Sequence, residues 1–347
     1  MSQILVLNSG STSLKYKLFG LNSLELIQEN YFEHITDHKK AVRKALREVK
    51  NIEEIKAIGH RVVHGGGKFI KPTVVNKKVL KELENFSDLA PLHNPANLAG
   101  IRACIELLPR VKNVACFDTA FHATIPDKAN FYALPWRLTR KLKIERFGFH
   151  GLSHNFVSEE VAKKLGKKLG DLNLITIHLG GGASISAIKK GKVIDTSMGF
   201  TPLEGLMMMS RGGNIDPGIL IYLTRKKKWD FKKIDQMLNY ESGMKGICGT
   251  SNMKEVLTKV RQGNKKAKLA LDMYVYRIQK YIGSYLVVLS RVDALVFTGA
   301  IGFRSRLIRS KIIKDIKNSL KGVKVFAVKT DEELMIAREI KNRLLGN

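Results

Sequence analysis

Leu5-Val6-Leu7-Asn8-Ser9-Gly10-Ser11 and, about 170 positions later, Thr176-Ile177-His178-Leu179-Gly180-Gly181-Gly182 are the two stretches whose reading decides the fold. Each is an apolar run that breaks into a turn of small residues, and each is followed by an alternating segment, Leu14–Phe19 and Ala183–Ile188. A short apolar run, a Gly/Ser turn and a period-two segment read as strand, turn, strand. The interval between the two copies is half the chain. Two domains of similar design follow, each contributing a Gly/Ser hairpin to a shared cleft. Two unrelated hairpins alike by chance are the plain alternative.

Working outward, 347 residues exceed one typical core and suit two domains of about 150 residues each. With 44% hydrophobic residues the chain has enough apolar material for sizeable cores. The most apolar stretch, Tyr285–Gly302, is interrupted by Arg291 and Asp293, so no membrane span is expected. Ile4–Leu7 gives way at once to Asn8-Ser9-Gly10, so no secretory leader is expected. Cys104, Cys116 and Cys248 are scattered thiols without a C-x-x-C, which suits a reducing cytoplasm and excludes a disulfide framework. The net charge of +29 invites a polyanion partner. Yet the basic residues run along the whole chain, as in Lys163–Lys168, Arg225–Lys228 and Lys311–Lys324, with no interleaved aromatic residues or zinc-finger spacing. They read as solvated surface, and nucleic acid is not expected as a partner.

Helical spacing is evident in Lys39–Val49, Pro95–Leu108, Asn155–Leu165 and the long Ala267–Leu289. Ser153 is placed to cap the third of these, and Asp216-Pro217 marks another helix start. Thr330-Asp331-Glu332-Glu333 has the form of a capping box at the last helix. Strands mixed with helices throughout define an α/β protein.

No P-loop, dinucleotide fingerprint, zincin motif or nucleophile elbow is present. Two Gly/Ser hairpins remain, whose backbone N–H groups can cradle phosphate oxygens. Around them His, Arg and Asp crowd beside glycine in G-H-R-V-V-H-G-G-G, F-D-T-A-F-H, R-F-G-F-H-G-L-S-H and S-R-G-G-N-I-D-P.

Those segments resemble the acetate kinase family. The match runs through N-S-G-S-T-S-L-K (Asn8–Lys15), G-H-R-V-V-H-G-G (Gly59–Gly66), A-P-L-H-N-P (Ala90–Pro95) and F-D-T-A-F-H (Phe117–His122). It continues in F-G-F-H-G-L-S-H (Phe147–His154), D-T-S-M-G-F-T-P-L-E-G (Asp195–Gly205) and T-D-E-E-L (Thr330–Leu334). The resemblance implies two similar ribonuclease-H-like domains with a cleft between them, the superfold of acetate and sugar kinases, actin and the heat-shock ATPases. It implies residues 1–122 completed by the last helix, 334–347, as one domain and 123–333 as the nucleotide-binding other. It also implies a cytoplasmic homodimer that moves phosphate reversibly between ATP and acetate, giving acetyl phosphate and ADP.

Roles follow from the resemblance. Acetate is already ionised at neutral pH, so the obstacle is repulsion between two anions, and alignment with charge neutralisation is the remedy. Arg61 and Arg211 are the implied forks for carboxylate and phosphoryl oxygens. His150 and His178 are implied donors to the transferring group. Asp118 is implied to organise metal-bound water or to orient Arg211. Mg2+, which Mn2+ can replace, is expected at Asn8 and Glu332, with Glu333 filling the capping-box position. Val63, Leu92, Phe149 and Pro202 match the methyl pocket, together with Arg61 for the carboxylate. An extra methylene changes transfer by about 0.8 kcal/mol, so propionate is expected to be a poorer but real substrate. Ser11, Lys15 and the His178-Leu179-Gly180-Gly181-Gly182 turn are expected at the phosphates. Asn252, Met253, Lys254 and the run Ala300-Ile301-Gly302-Phe303-Arg304 are expected around the nucleoside. The Met207-Met208-Met209 run reads as core.

The departures all fall on the nucleotide side. H-L-G-N-G of the family is His178-Leu179-Gly180-Gly181-Gly182 here, and G-I-G-E-N-S is Ala300-Ile301-Gly302-Phe303-Arg304-Ser305. An Asp expected near the base is Asn252, and the chain is shorter than usual after Arg304. Weak discrimination among nucleotide bases is therefore expected. A second reading has Phe303 filling the base pocket while Arg304 grips pyrophosphate.

Overall fold

The structure is a computed structural model that describes residues 2–91 and 93–345. The chain forms two compact units. One comprises Met1–Ala123, His150–Phe156 and Asp331–Asn347, the other Thr124–Phe149 and Val157–Thr330.

The first unit is built on strands β1 (Gln3–Ser9), β2 (Ser13–Gly20), β3 (Leu26–Glu33), β4 (Ile55–Val62), β5 (Thr73–Val74) and β6 (Lys112–Phe117). Their order is β3-β2-β1-β4-β6-β5. The first three strands form an antiparallel meander, β1, β4 and β6 run parallel, and the short β5 closes the edge antiparallel to β6. The second unit uses β7 (Asn173–Leu179), β8 (Ala183–Lys189), β9 (Lys192–Thr196), β10 (Ala294–Thr298) and β11 (Lys324–Ala327). Their order is β11-β10-β7-β8-β9, with β7–β9 an antiparallel meander and β7, β10 and β11 parallel. Thus β7, β8, β9, β10 and β11 repeat β1, β2, β3, β4 and β6. The two hairpins read from the sequence are one device used twice, at the centre of each sheet.

Central parallel strands are covered by helices and so read as unbroken apolar runs. Ile4–Leu7 is buried throughout and packs with helices Asn94–Leu107 and Glu332–Leu345. Leu174, Ile175 and Ile177 are fully buried, with helices Lys265–Leu289 and Gly299–Arg304 against β7. Burying each such side chain contributes about 1.5–3 kcal/mol. Gly59 lies in the middle of β4 because the last helix comes too close for a side chain. A Cβ there would sit 2.5 Å from Ile340 and 2.6 Å from Ile336.

Helix starts follow capping chemistry at Asp37, Asn76, Asp216, Asn252 and Asn264, each accepting a first-turn N–H. Two expected caps are corrected. The helix expected from Asn155 runs Gly151–Lys164, so Ser153 lies inside its first turn. It starts early because the Gly151 N–H donates to the Asp118 carbonyl at 2.8 Å. In the last helix, Glu332–Leu345, the cap is Asp331 rather than Thr330, with Asp331 Oδ1 accepting from the Leu334 N–H at 2.9 Å. Glu333 is thereby released from capping. Among the described residues no helix is long and apolar enough to cross a membrane.

Candidate active site

β4 of the first unit ends in His60-Arg61-Val62, and β6 ends one residue before Asp118. Their parallel register places Arg61 beside Cys116 and brings Asp118 within reach of the guanidinium. Arg61 Nε donates to both Asp118 oxygens at 3.1 Å, and Nη2 donates to Oδ2 at 2.6 Å. Nη1 lies 3.2 Å from Glu332 Oε2. Burial alone would depress the arginine, but Asp118 and Glu332 hold its pKa above the ordinary value. Asp118, expected to organise metal water or orient Arg211, has both oxygens bonded to Arg61.

Glu332 shows the tension in this cluster. Burial, then the negative charges of Asp118 and Glu333, push its carboxyl up to about 7 against the pull of Arg61 and Lys15. Glu333 goes the other way. Burial would raise it, yet Lys15 and Asn8, both bonded to it, hold it below the usual carboxylate value. The Asn8 amide nitrogen donates to Glu333 at 3.1 Å and Lys15 Nζ at 2.8 Å, while Lys17 Nζ reaches Asp331 at 2.5 Å. Lys15 is thus a support for the last helix, and Ser11 sits exposed in the turn. The donor set fits a hard divalent cation. Asn8 offers its carbonyl oxygen, and the Glu332 carboxyl, raised by burial and by neighbouring anions, gains from a dication. No group of three or more His, Cys, Asp or Glu among the described residues forms a closed cage. Mg2+, which keeps several waters, needs none.

Sequence reasoning missed what holds the residues after β4. Asn97 Oδ1 accepts the Val63 N–H at 3.1 Å while its Nδ2 donates to the Ser9 carbonyl at 2.6 Å. Asn94 brackets His64, accepting its N–H at 3.0 Å and donating to its carbonyl at 3.1 Å. Both asparagines are buried, and Val63 is held with only 7% exposure. The only available signal was Asn94 inside A-P-L-H-N-P. His60 is bonded to Asn113 at 2.8 Å, and burial holds it near 4, so it is a neutral structural residue.

His150 precedes the helix that starts on Asp118, with φ +59°. That is the left-handed region, which non-glycine residues adopt at a cost. Gly151 is obligatory, since a Cβ would meet the Asp118 carbonyl at 2.1 Å. Leu92 lies outside the described residues.

In the second unit, His178 pairs with Ser184 on β8 and Thr298 on β10 at the end of β7. Leu179 is fully buried. The turn is backbone only, with the Gly180 N–H donating to the Gly182 carbonyl at 2.8 Å. A cavity of about 540 Å³ adjoins it. Gly180 and Gly181 line it from the turn, and Asn252, Met253 and Lys254 from the next helix start. Ala300, Ile301 and Arg304 complete it from the helix after β10. Eight expected nucleotide residues therefore share one cavity. Gly302 and Phe303 are not in its lining; their carbonyls accept from Arg309 at 2.8 and 2.6 Å. Phe303 is exposed, which corrects the idea that it fills the base pocket.

Arg211 lies in a loop closed at its neck, and Pro202 lies just before that neck. The Gly205 N–H donates to Asn214 Oδ1 at 2.7 Å, and the Asn214 N–H returns to the Gly205 carbonyl at 3.0 Å. Glu204 pins the neck by accepting from the Tyr132 hydroxyl and from Arg146 Nη2 at 2.7 Å. That pin was also not seen in the sequence, although Glu204 lies inside a matching motif. Among the described residues Arg211 Nη1 finds the Pro202 carbonyl at 3.5 Å and the Met208 sulfur at 3.9 Å. Burial draws its pKa below the ordinary value. Phe149 is 2% exposed, and Met207–Met209 is core as expected.

The duplicated sheet, with its meander and parallel extension in each unit, defines an actin-like ATPase fold. The chain belongs to the acetokinase family, which matches residues 25–337. It is 45% identical to an acetate kinase of Sulfurovum sp. (strain NBC37-1), over 98% of this chain and 92% of that one. The crystal structure of Porphyromonas gingivalis acetate kinase superposes with a TM-score of 0.91 at 37% identity, covering 99% of this chain and all of that one. A propionate kinase from Francisella tularensis superposes equally well, TM-score 0.91 at 39% identity, over 98% and 99%.

Proposed function

We propose that the chain catalyses reversible, Mg2+-dependent transfer of the terminal phosphoryl group of ATP to acetate, giving acetyl phosphate and ADP. The observation that carries this reading is Arg61, held by Asp118 and facing Glu332. Those contacts fix the guanidinium plane and leave other N–H groups for a substrate oxygen. A carboxylate nucleophile needs no base, only alignment and relief of charge repulsion. Arg61 supplies the alignment. Arg211, His178 and His150 donate to phosphoryl oxygens, and the glycine turn offers its backbone N–H groups. Asn8 and Glu332 would hold the magnesium ion largely through waters, and the ion supplies charge neutralisation on the phosphates. Val63, Phe149 and Pro202, with Leu92, select the methyl group; the likeness to a propionate kinase supports a pocket that tolerates one more carbon.

A homodimer in the cytoplasm completes the reading. It is supported by the helix Pro217–Lys227, whose Ile219, Ile221 and Tyr222 are all exposed, and by free thiols, two of them buried.

The test is trapping of acetyl phosphate as hydroxamate from acetate and ATP. Product should form, cease with EDTA and return with Mg2+ or Mn2+. Failure to form acetyl phosphate with any nucleoside triphosphate would sink the reading.

A further inference from the structure

The cavity of the second unit is unequal in its hydrogen-bonding groups. Two of its side-chain acceptors are already engaged. Asn252 Oδ1 takes the Lys254 N–H at 3.0 Å, and Ser305 Oγ takes the Ile308 N–H at 3.3 Å, each capping a helix. Neither Asp nor Glu lines the cavity. Its donors remain unspent: among the described residues Arg304 and Lys254 have no carboxylate partner, and the Asn252 amide nitrogen and Ser305 hydroxyl can still donate. Ser251 serves either way and does not discriminate. The walls are flat and apolar at Met209, Leu257 and Ile301.

Adenine presents an amino group at C6 and needs an acceptor there, whereas guanine and hypoxanthine present a carbonyl and need a donor. We infer that this cavity selects a 6-oxopurine nucleoside triphosphate over ATP, with Arg304 as the residue that reads the base. The guanidinium fork matches O6 and N7 of such a ring in two parallel bonds, and the adenine amino group would meet a donor instead. This inference rests on the cavity being the nucleotide site of the proposed kinase.

The experiment uses the full chain at saturating acetate and matched free Mg2+, comparing kcat/KM for ATP, GTP and ITP. GTP and ITP should exceed ATP by about tenfold, within the discrimination of one bidentate pair. ITP lacks the 2-amino group, so equal standing with GTP assigns the effect to C6. In Arg304→Ala the three donors should come within about threefold of one another. Arg304→Gln should turn the preference toward ATP, because a carboxamide pairs with adenine N6 and N7. Equal or better use of ATP by the native chain overturns the inference while leaving the kinase reading intact. So does a uniform loss for all three donors in Arg304→Ala, which would put Arg304 on the phosphates. No acetyl phosphate from any of them overturns both.

Discussion

The two units share a sheet plan but distribute charge in opposite ways. In the first, the site cations are answered from within the unit: Arg61 by Asp118 and Glu332, Lys15 by Glu333, Lys17 by Asp331. In the second, Arg211, Lys254 and Arg304 have no carboxylate partner among the described residues. The hairpins repeat the contrast, since β1–β2 works through Asn8, Lys15 and Lys17 while the β7–β8 turn is three glycines. A unit that neutralises itself is rigid before substrate arrives. A unit with unanswered cations waits for an anion to supply the missing charge, which is what a triphosphate brings.

The sharpest way to break this comparison is to remove one arginine from each half. Arg61→Ala and Arg211→Ala should each lower kcat by about 10³, the scale of arginines at transferring phosphoryl groups. Their stabilities should part company. Arg61→Ala strands Asp118, whose side chain is 2% exposed, beside Glu332, and should cost about 3 kcal/mol. Arg211→Ala strands no carboxylate and should leave the melting temperature within a few degrees of the native value. Thermal melts beside steady-state rates decide it. Equal destabilisation would mean that Arg211 is a structural cation after all, and a tenfold loss or less in both rates would remove the pair from the chemistry.

Next in size is the pin on the Arg211 loop. Glu204→Ala frees the Tyr132 hydroxyl and leaves Arg146, 16% exposed, without its carboxylate. Loosening the neck should lower kcat/KM for acetate about 30-fold, the order expected when a positioned group is misplaced by about an ångström. Glu204→Gln keeps a single accepting oxygen, enough for Arg146 or for the Tyr132 hydroxyl but not for both, and should recover only part of that loss. Of this loop only Met209 lines the donor cavity, so the KM for the triphosphate should move less than threefold. A parallel loss of donor and acceptor kinetics in both variants would mark Glu204 as general scaffolding.

How much of this was legible depended on what each residue advertised. The duplicated hairpins were readable because an apolar run, a glycine turn and an alternating segment carry their own periodicity. Arg61, Asp118, Glu332 and the cavity residues came from motifs. Asn94, Asn97 and Glu204 were not legible, because a buried amide that grips a backbone 30 positions away, or a carboxylate that grips a side chain 58 positions away, has no local pattern. The capping box at Thr330 misled for a related reason. Glu333 obeys the local rule in spelling, but Asn8 and Lys15 reach it from the first hairpin and outbid the backbone. The Phe303 reading failed because one helical position separates a residue that lines the cavity, Arg304, from one that faces out.

The smallest expected effect tests the share of the self-neutralised half in acceptor choice, through Val63. Val63 is 7% exposed and its backbone N–H is fixed by Asn97 at 3.1 Å, so its side chain cannot drift to fill or empty space. Val63→Ala should therefore leave real room rather than a collapsed wall. Two carbons' worth of space accommodates the extra methylene of propionate, a difference of about 0.8 kcal/mol for burial alone, and relief of overlap with the native wall adds to it. The propionate-to-acetate ratio of kcat/KM should rise about tenfold. Because Asn97 also holds the Ser9 carbonyl at the end of β1, Asn97→Ala should blur the same ratio without enlarging the pocket. Donor KM should be unchanged in Val63→Ala, because Val63 does not line the donor cavity. A ratio that stays put while both rates fall would make Val63 a packing residue, and a shifted donor KM would show that the two halves do not divide the substrates between them.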